Sequence, residues 1–102
     1  MARIVVSPTA ASSLDRLTVT HSLPADTRAR FKRSIASLAG FPRLGRLLVA
    51  GGFDGLRFVL GPWRWMIIVY DFDPETDVVQ ILLVEDGRSS KAATSYTAVM
   101  SR

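Results

Sequence analysis

The chain has no cysteine, so disulfides, thiolate metal sites and a cysteine nucleophile are all excluded. It has one histidine, His21, which rules out a histidine-rich metal site. No apolar run approaches the roughly 20 residues needed to span a bilayer. The N-terminal Met-Ala-Arg-Ile-Val-Val-Ser-Pro is too short an apolar segment for a signal peptide, so a cytoplasmic location without membrane attachment is expected. Lysine is scarce, with two residues against eleven arginines. Acidic residues are missing altogether between Thr27 and Phe53, where six basic ones fall: Arg28, Arg30, Lys32, Arg33, Arg43 and Arg46. A positive middle can attract an RNA backbone or an acidic protein, whereas on a helix such a run more often makes a solvated face.

With 102 residues and 48% hydrophobic content, the chain suffices for one domain spanning 1–102, with one modest core. Three β-branched and aromatic runs between Gly55 and Arg88 dominate it. They are separated by Gly61-Pro62 and by an acidic turn around Pro74, and predict three sequential antiparallel strands near 56–60, 64–71 and 77–85. Ile4, Val5 and Val6 predict a further strand at 3–7. Ser7-Pro8 is a helix start, and Ala11, Leu14 and Leu17 form its apolar stripe. The helix should fade by His21. Ser22-Leu23-Pro24 repeats the start signal for a second helix reaching about Leu38, with Gly40 and Phe41-Pro42 as its stop. The expected fold is α+β: an N-terminal strand, an antiparallel helix hairpin on one face, and a three-stranded antiparallel meander. Phe41–Asp54 reads as a loop, and a weakly helical tail follows from about residue 89.

Alternation places Leu56, Phe58 and Leu60 on one face of their strand. Trp63, Trp65, Ile67 and Val69 share a face opposite Arg64, Met66, Ile68 and Tyr70, and Val79, Ile81 and Leu83 oppose Leu82 and Val84. Two apolar faces need two covers, and the helices supply one. Met66, Ile68, Leu82 and Val84, or their alternates, are expected to be covered by the tail, by a second copy in a homodimer or by a partner segment. His21, at the helix–helix junction, is either a general base or ligand, or a surface or C-terminal capping residue. Gly51-Gly52 lacks the spacing and the following Lys-Ser of a phosphate-binding loop, so nucleoside triphosphate binding is not supported. Trp63 and Trp65 are core aromatics or stacking platforms for bases.

The order of elements, with Ser7-Pro8, Phe41-Pro42, Gly45-Arg46-Leu47, Gly55-Leu56-Arg57, Ile68-Val69-Tyr70 and Val84-Glu85-Asp86-Gly87-Arg88, resembles the RelE/ParE superfamily of toxins from bacterial toxin–antitoxin systems. The resemblance implies a cytoplasmic growth-inhibiting toxin, encoded in plasmid-stabilising and related modules and held inactive by a cognate acidic antitoxin. RelE-like members cleave mRNA on the ribosome without metal or cofactor, by attack of a 2′-hydroxyl on the adjacent phosphate. ParE-like members inhibit DNA gyrase by binding it. For the nuclease, the resemblance implies Arg57, Arg64, Arg88 and Tyr96 as the catalytic set and Arg43, Arg46 and Lys91 as RNA contacts. It also leaves room for a relic that only binds its antitoxin.

Overall fold

The computed structural model describes residues 1–48 and 55–88. The chain forms β1 (Arg3–Val6), α1 (Pro8–Thr20), α2 (Thr27–Ala36) with a 3-10 turn over Ser37–Ala39, β2 (Arg46–Leu47), β3 (Arg57–Leu60), β4 (Met66–Asp73) and β5 (Val78–Asp86). One five-stranded sheet runs in the order β1-β5-β4-β3-β2. The expected meander is present as β3, β4 and β5, paired antiparallel, and β1 closes on β5 in parallel. The expectation of a plain loop between Phe41 and Asp54 is corrected by β2. This two-residue strand pairs Arg46 with Phe58 and Leu47 with Arg57, and is too short to leave a periodic signal.

The first helix starts where its residues dictate. Ser7 is the N-cap, accepting from Ala10 N–H, and Pro8 supplies a pre-set φ at a position that needs no donor. It ends where expected, with His21 as the C-cap, but the role of Ser22 departs from expectation. Ser22 is in the left-handed region with φ of 50°, its N–H bonds the carbonyl of Val19, and Leu23 N–H bonds that of Thr18. That is the Schellman pattern, normally marked by glycine. Ser22 therefore ends α1 rather than opening α2. The second helix begins only at Thr27, whose buried hydroxyl donates to the carbonyl of Pro24 at 2.6 Å.

Both helices pack on one face of the sheet. Ala10, Leu14, Leu17, Phe31, Ile35 and Leu38 meet Met66, Ile68, Tyr70, Val79, Ile81 and Val84. The assignment of Met66, Ile68 and Val84 to an uncovered face is thus corrected: they lie under the helices. The cause in β5 is a bulge. Val69 faces Leu83 while Tyr70 faces Ile81, which leaves Leu82 as an extra residue. The bulge shifts the alternation, so Val84 joins Ile81 on the helix face. Ser7 Oγ donates to the Leu82 carbonyl, tying the start of α1 to the bulge. On the other face Phe58, Ile67, Val69 and Leu48 are buried together, with Leu56 and Leu83 packed against them. Trp63 and Trp65 precede β4, in the β3–β4 turn, and pack toward the helix-side core rather than sharing a face with Ile67 and Val69. The region from residue 89, including Lys91 and Tyr96, lies outside the described residues.

Candidate nucleic-acid interface

Two groups of functional candidates occupy the start of β4 and its middle. The first forms where the C-terminus of α1, the β3–β4 turn and the end of β5 meet. Pairing of Met66 with Asp86, and a hydrogen bond from Gly87 N–H to the Trp65 carbonyl, bring the turn against the strand end. His21, the C-cap residue of α1, stacks on Trp65 with ring centroids 4.6 Å apart and 14° between planes. Trp63 lies nearly parallel to Trp65 at 6.0 Å, and the Arg30 guanidinium from α2 is 5.8 Å from the Trp63 ring. The Arg88 guanidinium sits over Trp65 at 4.9 Å. Arg64 is exposed in the same turn.

Asp86 joins these groups. Its Oδ2 accepts from His21 Nε2 at 2.7 Å, and its Oδ1 accepts the Arg88 backbone N–H at 2.8 Å. Arg88 Nε and Nη2 reach the same carboxylate at 3.2 and 3.3 Å. Burial pushes the Asp86 carboxyl up, but the Arg88 side-chain and backbone donors and His21 outweigh it and hold the carboxyl down at about 2. Asp86 is therefore an acceptor and not a proton carrier at neutral pH. An ionised carboxylate only accepts, so His21 Nε2 carries the shared proton. His21 Nδ1 is buried without a hydrogen-bond partner. Neither ring nitrogen faces an incoming substrate, so this arrangement does not make His21 a general base.

The second group anchors the loop that leads into β2. The Tyr70 hydroxyl donates to the Pro42 carbonyl and accepts from Gly45 N–H, both at 2.8 Å. Burial raises the Tyr70 pKa, and the Gly45 N–H and the Arg57 charge work against that rise. Arg57 Nη1 donates to the carbonyls of Gly45 at 2.7 Å and Arg43 at 3.2 Å. A side chain at Gly45 would meet the Phe58 carbonyl at 2.6 Å and the Tyr70 ring at 2.7 Å, so the loop needs glycine there for close approach. The Arg43 guanidinium lies 5.1 Å from the Phe72 ring, while Arg46 is exposed on β2.

Of the sequence-derived catalytic set, Arg64 and Arg88 thus sit at one end of β4. Arg57 lies beside Tyr70, four residues along β4 from Met66, roughly 13 Å at ~3.3 Å per residue. Tyr96 and Lys91 fall outside the described residues. Arg64 is in a turn and not on the strand where alternation had put it. The anchoring role of Tyr70 was missed. Its signal was a hydroxyl inside a continuous apolar run, which must find a partner when buried. Among the described residues no group of three or more His, Asp or Glu side chains could hold a metal ion, and no helix is long and apolar enough to cross a membrane.

No protein-family model matches the sequence, and no curated protein does. Solved structures do match. A chain of the intact Escherichia coli RelBE toxin–antitoxin complex superposes with a TM-score of 0.63 at 15% identity, covering 87% of this chain and 100% of that one. The isolated E. coli RelE toxin gives 0.62 at 14% identity, over 98% and 99% of the two chains. A conserved hypothetical protein of Helicobacter pylori gives 0.56 at 14% identity, over 91% and 99%. The chain has the RelE-like fold.

Proposed function

We propose that the chain is the toxin of a type II toxin–antitoxin module and acts as a metal-independent, ribosome-dependent mRNA endonuclease. The fold shared with E. coli RelE over nearly its whole length supports the first half. Its surface suits an acidic partner with apolar side chains. A groove lined by Val6, Ala11, Leu14 and Phe31 has Arg28 and Lys32 on its rim, exposed Phe41, Leu44 and Leu47 lie near Arg43 and Arg46 in sequence, and exposed Leu60 lines a second groove with Leu44 and Arg46. The observation that carries the second half is Arg88. Its side chain is 62% exposed, directed by a carboxylate and by an indole of the Trp63–Trp65 pair, and exposed Arg64 lies in the turn that carries that pair. Guanidinium groups suit a phosphate, and indoles suit nucleobases. In this reading Arg88, with Arg64, stabilises the charge on the phosphorane formed when the 2′-hydroxyl attacks. Tyr96 supplies the proton-transferring group, and Arg43, Arg46 and Lys91 hold the RNA.

The position of Arg57 favours a second reading. Bound to two loop carbonyls and far from Arg88, it is spent on structure, and a cation set reduced by one fits a binding inhibitor of gyrase better than a nuclease. Expression in growing cells, with mRNA ends mapped by primer extension and plasmid supercoiling run in parallel, separates the two. A lost oxyanion-type donor costs on the order of 10² to 10³ in rate. Arg88→Ala should therefore abolish growth arrest and mRNA cleavage while the protein still binds the product of a neighbouring small acidic reading frame. Intact mRNA with failing supercoiling, or a fully toxic Arg88→Ala, would transfer the case to gyrase.

A further inference from the structure

We infer that His21 is a positioning residue for Arg88, acting through Asp86; the inference rests on the reading of Arg88 as the phosphate-contacting group. The chain of contacts begins at the end of α1. The left-handed turn at Ser22 and the bond from His21 N–H to the Leu17 carbonyl fix the backbone of His21. Stacking on Trp65 then fixes the ring plane. Nε2 thereby meets Asp86 Oδ2 at 2.7 Å, while Oδ1 is held by the backbone N–H of Arg88. With one donor on each oxygen, the carboxylate plane cannot turn about its last torsion. Its remaining lone pairs face Nε and Nη2 of Arg88, which lies over the other partner of His21, the Trp65 ring.

The need for His21 follows from magnitudes. Arg88 and Asp86 alone make an ion pair at 3.2 Å whose guanidinium end is largely exposed while the carboxylate is nearly buried, and solvent screening at the open end leaves a long side chain weakly held in any one geometry. A carboxylate clamped by a second donor from a rigid helix end presents a fixed acceptor edge instead. Misplacement of a group that contacts the reacting phosphate by about 1 Å can cost on the order of a hundredfold in rate. The buried Nδ1 has no hydrogen-bond partner, so the ring's polar contact in the structure is the one to Asp86.

The test separates ring packing from the hydrogen bond. His21→Phe keeps a flat ring on Trp65 and removes the donor. His21→Gln restores an N–H near the Nε2 position. His21→Asn keeps an amide too short to reach Asp86, and serves if the Phe variant does not fold. In ¹⁵N spectra the Arg88 Nε–H, assigned by its disappearance in Arg88→Lys, should be protected in the wild type. Its exchange should speed up at least fivefold in the Phe and Asn variants and return in Gln. In ribosome-dependent cleavage kcat should fall about tenfold or more in Phe, with KM changed less than twofold and Gln restoring most of the loss. An unchanged Arg88 signal in folded Phe and Asn variants overturns the inference. A protein that cleaves nothing, yet shows the spectral loss and rescue, retains the positioning role and removes the nuclease reading alone.

Discussion

Tyr70→Phe tests whether the Phe41–Arg46 loop is held from beneath by one hydroxyl. Tyr70 is fully buried and its ring packs in the helix-side core, which Phe would preserve. What is lost is two hydrogen bonds of 2.8 Å at once, one from Gly45 N–H and one to the Pro42 carbonyl. A net contribution of about 1 kcal/mol per bond gives roughly 2 kcal/mol, and leaving the Gly45 N–H without a partner raises this toward about 3 kcal/mol. Arg57 still holds the Gly45 and Arg43 carbonyls, so the loop should loosen without leaving. For a domain of this size, 2–3 kcal/mol corresponds to a fall in Tm of roughly 10–20 °C. Urea unfolding followed by circular dichroism should show a lower midpoint with an unchanged slope. The backbone amide of Gly45, protected in the wild type, should exchange freely in the variant. A loss below about 0.5 kcal/mol, or a Gly45 amide that stays protected, would show that the hydroxyl does not anchor the loop.

Two further outcomes concern the start of β4. The Asp86 carboxyl is lowered from 3.8 to about 2, so its contribution is complete above pH 3.8 and disappears as pH falls through about 2. The shift, discounted because Arg88 is largely exposed, amounts to about 1–2 kcal/mol. Asp86→Asn should remove that much of the stability difference between pH 6 and pH 2, as read by urea titrations at both. Ser22→Gly should stabilise the chain by about 0.5–1 kcal/mol, since glycine accepts the left-handed conformation without a Cβ clash, whereas Ser22→Val should destabilise it. Thermal melts of the two variants on opposite sides of the wild type would confirm the Schellman end, and melts on the same side would refute it.

The parts of the fold that were legible are those whose signal is local. Ser7-Pro8 announces α1, and the β-branched runs announce β1, β3, β4 and β5, because propensity and punctuation act within a few residues. The misread parts are those in which one residue serves two grammars. Ser22 before Leu23-Pro24 looks like a helix start, but its φ of 50° makes it a helix end. Leu82 looks like an ordinary strand position, but the bulge there reverses the facing of Val84. Arg64 and Trp65 look like strand residues because the turn that holds them is aromatic rather than polar.

The wiring of the candidate site was illegible in the sequence. His21 and Asp86 are 65 positions apart, and neither carries a local sign of the other. Their meeting depends on α1 ending at residue 21 and on β5 reaching residue 86 beside the start of β4. Arg57 and Arg88 illustrate the converse. Both are arginines in or after a strand, and sequence weighs them alike. Topology gives Arg57 two backbone carbonyls to satisfy, whereas Arg88 receives one carboxylate and an open side. A guanidinium committed to main-chain carbonyls cannot also serve a phosphate without releasing the loop. One with a pinned acceptor behind it and solvent in front can turn its free N–H groups to an anion. If either arginine meets RNA, the physics selects Arg88, and the comparison of Arg88→Ala with Arg57→Ala makes that choice measurable. The first should cost activity with little change in stability, and the second should cost stability first.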